Sequence, residues 1–152
     1  LLYSNNNSDD SSKSDSTTAT DTSKSTSGKT IDLANQGLSE VSKNILDDSK
    51  VTTLDVSNNN LTGALPAEIR KLTNLEVLDA SDNKMTGIPA EIGQLSKLRT
   101  ADFSNNDISG LPLEIGNLTN LVTLDLRGNP NISKYDISLI QPKIPNAQIL
   151  VD

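Results

Sequence analysis

The sequence predicts an α/β solenoid, in which every coil gives one strand to a parallel sheet and one short helix or 3₁₀ segment to the opposite side. Two observations predict it. The first is an apolar skeleton that restarts at Val51, Leu75, Leu98, Leu121 and Ile144, after 24 residues once and then after 23 each time. Counted from each start, apolar residues fall at positions 1, 4 and 6 and, in most coils, at 11, with Asn at position 9. The four full copies place Leu54, Leu78, Ala101 and Leu124 at position 4, and Val56, Ala80, Phe103 and Leu126 at position 6. The second observation is a change of character halfway through each coil. An alternating triplet such as Leu54-Asp55-Val56 is followed by a Pro-led stretch such as Leu65-Pro66-Ala67-Glu68-Ile69. Self-similarity at such a period marks a solenoid, whose coils bury apolar faces only against one another.

The elements follow in order. Residues 1–27 form a low-complexity Ser/Thr/Asn/Asp tail, in which Ala19 is the only aliphatic side chain after Tyr3. Such a stretch cannot bury enough apolar surface to offset an ordering cost of roughly 1–2 kcal/mol per residue. It reads as a spacer or stalk; the alternative is a tail ordered by a partner, including another copy of the chain. The chain opens on Leu1-Leu2-Tyr3 rather than Met, which fits a removed signal peptide or membrane anchor and fits a fragment boundary equally. The repeat domain spans residues 28–152. Its first coil, 28–50, is atypical: Ile31, Leu33, Leu38 and Ile45 keep the pattern, but Gln36 stands at the Asn position. Coils 51–74, 75–97, 98–120 and 121–143 follow, then a cap at 144–152. Residues 134–141 are expected to form a closing helix, and 144–151 the last strand.

Position by position, the chemistry is structural. Positions 4 and 6 point inward, because a strand alternates its faces. Asn59, Asn83, Asn106 and Asn129 follow the strand, where buried backbone groups need partners; an amide both donates and accepts, and losing one costs about 1–3 kcal/mol. Pro66, Pro89 and Pro112 suit the first turn of a short helix, with Glu68, Glu91 and Glu114 facing its positive end. Helix-start chemistry accounts for these three Glu better than a metal site does. Ile69, Ile92 and Ile115, with Leu72, Leu95 and Leu118, should face inward.

The pattern Leu-x-x-Leu-Asp-Leu-x-x-Asn-x-Leu-x-x-Leu-Pro-x-x-Ile-Gly-x-Leu over residues 28–152 resembles the leucine-rich repeat family, in its typical 23-residue class. The resemblance implies a right-handed solenoid with a concave parallel sheet, short convex helices or 3₁₀ segments, and a role in protein recognition. The Cys-free ends resemble the caps of many bacterial and intracellular members, and a bacterial-type surface protein is the expectation.

Composition narrows the function. There is no Cys, His or Trp, so thiol nucleophiles, imidazole bases, disulfides and the usual zinc ligands are all missing. The net charge of −7, from 20 acidic and 13 basic residues, disfavours nucleic acid and anionic membrane surfaces. No catalytic residues, cofactor or metal are expected. A ligand would meet the outward positions 3, 5 and 7 of the strands. These carry Thr53, Asp55, Ser57, Asp79, Ser81, Thr100, Asp102, Ser104, Thr123, Asp125 and Arg127. The face is flat and lacks aromatic residues, with a stripe of Asp about 4.8 Å apart that repel and need screening. The stripe reads as scaffold chemistry or as a binding stripe. Its uniformity suits a repetitive partner, such as a glycan or another copy of the chain.

Two functions compete. One is a non-enzymatic extracellular or cell-surface module that recognises protein or glycan, attached to the membrane only through a removed N-terminal signal or anchor. The other is a structural subunit that forms an extracellular filament. Its contacts would be the exposed strands near Ile31 and Ile149, with Leu1, Leu2 and Tyr3 as an apolar plug. Sequons at Asn6, Asn60, Asn117 and Asn131 read as by-products, most of them of the repeat and its final turn.

Overall fold

The computed structural model describes residues 28–152. The expectations for Leu1, Leu2, Tyr3 and the rest of the tail lie outside the described residues. Six strands build the main sheet: β1 (Lys29–Asp32), β2 (Val51–Asp55), β4 (Val77–Asp79), β6 (Thr100–Asp102), β7 (Thr123–Asp125) and β8 (Gln148–Leu150), side by side in that order. All five pairings are parallel, and Leu54 stands opposite Leu78, Leu78 opposite Ala101, and Ala101 opposite Leu124. The repeat is therefore a ladder, one strand per coil. Its position-4 and position-6 side chains are sealed from Leu54 to Leu126, none more than 2% exposed. Phe103 is the largest of them; its neighbours on this grid, Ala80 one coil earlier and Ala101 two residues before, are small. A large ring flanked by small side chains keeps the core volume even.

The return half of each coil is a 3₁₀ segment: Ala67–Lys71, Ala90–Gln94 and Leu113–Asn117. Each Pro stands just before the helix rather than inside its first turn. Pro66, Pro89 and Pro112 are extended, and their carbonyls accept the first helical bond from Ile69, Ile92 and Ile115 at 3.0, 3.0 and 3.2 Å. The missing proline N–H thus costs nothing, and the fixed φ sets the entry angle. Ile69, Ile92, Ile115, Leu72, Leu95 and Leu118 all reach the core, as their spacing predicts.

The Asn column works between coils. Asn83 Oδ1 accepts from Leu61 N (3.0 Å) in the coil before, and its Nδ2 donates to Val56 O (3.0 Å) there and to Ala80 O and Ser81 O in its own coil. Asn106 does the same toward Met85 N (2.9 Å) and Ala80 O (3.0 Å), and Asn129 toward Ile108 N (2.9 Å) and Phe103 O (3.0 Å). Asn59 reaches back to Gln36 N, Leu38 N and Leu33 O of the first coil. Every amide serves the preceding turn and closes its own, so both hydrogen-bonding ends are used.

Three features were not anticipated from sequence. Position 8 is a column of left-handed residues: Asn35, Asn58, Asp82, Asn105 and Gly128, with φ of 61°, 54°, 56°, 56° and 74°. Asn and Asp tolerate this conformation best among residues with a side chain. The Nδ2 of Asn58 donates to Asn35, and that of Asn105 to Asp82 (3.0 Å), so the column is also an exposed ladder. At Gly128 a Cβ would run into the Asn105 amide. Next, a short second parallel pairing joins β3 (Thr62–Gly63) to β5 (Lys84–Met85). It sits where the 24-residue coil absorbs its extra residue, with Gly63 at φ 67°. Finally, Asn74 Nδ2 donates to Ser49 O (2.6 Å) and Asn120 Nδ2 to Ser96 O (2.8 Å), tying the turns that enter the strands.

The ends differ from expectation in detail. In the first coil it is Leu46, not Ile45, that is fully buried. At the other end α1 (Lys134–Ile140) is the closing helix, capped by the Ser133 hydroxyl, and a 3₁₀ turn follows at Gln141–Lys143. The last strand is only Gln148–Leu150, because Ile144 to Ala147 are spent on the turn out of that 3₁₀ segment. Ile149 faces Leu124, where the period places Ala147, so the final coil runs two residues out of the expected phase.

Candidate recognition surface

The concave face is set by the ladder. Position 3 pairs Thr30 with Thr53, Thr53 with Val77, Val77 with Thr100 and Thr100 with Thr123; position 5 pairs Asp32, Asp55, Asp79, Asp102 and Asp125 in the same way. The sequence-predicted residues Thr53, Asp55, Ser57, Asp79, Thr100, Asp102, Ser104 and Thr123 are half-buried on this face, and Arg127 is exposed. Two depart from an outward reading. Ser81 and Asp125 are buried, at 7% and 9% exposure.

Both take part in side-chain hydrogen bonds that close the turn after the strand. Asp55, Asp79 and Asp102 each fold one carboxylate oxygen back onto the turn that ends their own strand. Oδ1 accepts the backbone N–H of Ser57, Ser81 and Ser104 at 2.9, 3.1 and 2.9 Å, and their hydroxyls at 2.6 Å in every case. Two donors on one oxygen localise the charge and answer much of the expected repulsion along the column. The remaining oxygen, Oδ2, accepts no hydrogen bond among the described residues in any of the three. The spacing Asp-x-Ser, readable in the sequence, was the signal for this turn.

The stripe changes character at its end. Asp125 has no Ser two residues on; it meets Arg127 instead, with Nε 3.0 Å from Oδ1 and a guanidinium NH2 group 2.7 Å from Oδ2. The hydrogen bonds from that guanidinium are the main reason the Asp125 carboxyl ionises below the usual carboxylate range, against a smaller opposing effect of burial. The face is thus acidic over Asp55, Asp79 and Asp102 and neutralised at Asp125. Val77 is the one large apolar side chain exposed on it. Among the described residues no group of three or more Asp or Glu is placed to hold a metal ion. No described helix is long and apolar enough to cross a membrane.

Comparison with known proteins agrees with this geometry. A family model described as leucine-rich repeats, in two copies, matches residues 49–90 and 96–139, more than half of the chain. The chain belongs to the leucine-rich repeat family. No curated protein matches it in sequence. Among solved structures, a leucine-rich repeat protein of Leptospira interrogans is similar at 31% identity and a TM-score of 0.63, over 80% of this chain and 36% of that one. Internalin C2 of Listeria monocytogenes is similar at 26% and 0.67, over 82% and 51%. A plant peptide hormone receptor, solved in complex with RGF2, is similar at 32% and 0.59, over 74% and 18%. The chain therefore spans at most about half the length of these proteins. They share its fold of parallel strands and short return segments.

Proposed function

We propose that the protein is a non-enzymatic recognition module of the extracellular space or cell surface, and that a protein partner binds its concave face. The observation that carries this reading is the row of half-buried Asp55, Asp79 and Asp102, each anchored through Oδ1 with an Oδ2 that meets no donor among the described residues, beside Thr53, Thr100 and Thr123. Rigid, pre-set acceptors at strand spacing suit a cationic or hydroxyl-bearing segment laid across the coils, since little ordering is left to do on binding. The similar plant peptide hormone receptor, solved with RGF2, supports a peptide or protein ligand. A glycan is the other ligand class that so even a surface suits.

The test needs a charge change that spares the turn. Alanine at Asp79 would also strip the Ser81 N–H and hydroxyl of their acceptor. The paired change Asp79→Asn and Asp102→Asn keeps an oxygen at that place and removes the charge. Peptide and glycan arrays probed with wild type and this variant should show ligands that lose tenfold or more in affinity. If every ligand found binds the variant as tightly, the stripe is not the site.

A second reading, a self-assembling extracellular filament subunit, is favoured by one observation. Strands β1 and β8 are the two edges of the sheet, and Ile31 and Ile149 are only partly buried there. In this reading the N-terminal tail, with Leu1, Leu2 and Tyr3, joins the contact.

A further inference from the structure

We propose that copies of this chain stack head to tail, with strand β1 of one copy pairing in parallel with strand β8 of the next. The proposal rests on the self-assembly reading and deepens it. One hydrogen bond recurs at every junction of the ladder: the N–H at position 6 donates to the carbonyl at position 5 of the following coil. It runs from Leu33 to Asp55, Val56 to Asp79, Ala80 to Asp102, Phe103 to Asp125 and Leu126 to Leu150, at 2.8 Å each time. By the register of β8, Val151 supplies the next donor in this series, and among the described residues no acceptor receives it. At the opposite end, the Asp32 carbonyl is the first acceptor of the series, with no coil before it among the described residues. A second copy supplies both missing halves at once.

The side chains match as well. The registers place Gln148, Ile149 and Leu150 where Thr30, Ile31 and Asp32 stand in the first coil. Ile31 with Leu33, and Ile149 with Val151, are partly buried at either end of one core. Stacking would continue that core across the junction. Strand β8 carries neither a charge nor a Pro, the usual guards of a sheet edge. On the convex side, return segments lie over one another along the solenoid. Beyond the last of them is an open groove of about 840 Å³, lined by Pro142, Pro145, Ala147 and Ile149. The 3₁₀ turn Lys43–Ile45 of the incoming copy would rest there. A contact between unlike ends leaves one end of each kind free after every addition, so the product is an open chain of molecules or, where the rotation per copy closes, a ring.

The absence of native Cys makes the test clean. In this register Asp32 of one copy and Leu150 of the next stand about 4.8 Å apart, within reach of a disulfide. Full-length Asp32→Cys and Leu150→Cys chains, mixed and oxidised, should give a cross-linked heterodimer that neither gives alone. Wild-type mass measured by sedimentation should rise with concentration. Val151→Pro removes that donor N–H; it should weaken association at least tenfold while the monomer stays folded. A wild type that stays monomeric up to millimolar concentration without cross-linking would overturn the proposal, leaving the tail or another protein to cover these edges. So would a preferred disulfide between two Asp32→Cys chains, which needs two like edges facing. Neither result bears on ligands of the Asp stripe.

Discussion

Interior coils and terminal coils of this molecule carry aliphatic residues at the same inward positions, and these meet different fates. Leu54 and Leu78 at position 4 are completely sealed, whereas Ile31 and Ile149, at the equivalent places, stay partly exposed. The difference lies in the neighbours: an interior side chain is covered from the coil before and the coil after, and an end one from a single side. Burial in a solenoid belongs to the junction between coils, which is why each junction contributes its own increment of stability.

The sharpest way to break this comparison is a cavity. Leu78→Ala should cost about 2–5 kcal/mol, and Ile31→Ala no more than about half as much, because solvent can fill the space at the edge. Urea unfolding of both variants measures the pair, and equal losses would refute the junction account. The amide column gives the next largest contrast. Asn106→Ala strips Met85 N, Ala80 O and Phe103 O of a buried partner and should cost about 2–3 kcal/mol. Gln36→Ala, at the same position in the first coil, should stay within about 0.5 kcal/mol.

The smallest effect separates the last Asp of the stripe from the others. Arg127 holds the Asp125 carboxyl below its ordinary value of 3.8 in the folded chain. The pair therefore stabilises the fold above that pH, and the contribution disappears as pH falls through the depressed value. Arg127 is more than half exposed, so solvent screens the pair and its contribution is small. Arg127→Gln should lower the melting temperature slightly at pH 7 and by less near pH 2. A deficit of equal size at both pH values would mean that packing, and not charge, is lost.

The inward positions, the strand order and the Asn column were all legible, because each recurs at a fixed interval and an interval survives any single substitution. The boundaries of the ends were not. The final coil departs from the period by two residues, and nothing in Ile144-Pro145-Asn146-Ala147 announces that the chain spends those residues on a turn before Ile149 meets Leu124. The left-handed column was readable but went unread: Asn35, Asn58, Asp82, Asn105 and Gly128 are the residue types that accept positive φ. On the candidate surface, all the residues expected to face outward are half-buried or exposed except Ser81 and Asp125. Its energetics were not legible, because a stripe of Asp suggests repulsion until the Ser two residues on is seen to bind each carboxylate.

The backward-reaching asparagines have an evolutionary consequence. Each one addresses a place, one turn earlier, and the groups it finds there are main-chain groups that every turn presents alike. Excising residues 75–97 as a block would leave Asn106 facing Leu61 N and Val56 O, which today receive Asn83. Length is thus adjustable in whole coils, while a deletion of any other size has to be absorbed inside the coil it shortens, as the 24-residue coil absorbs its extra residue.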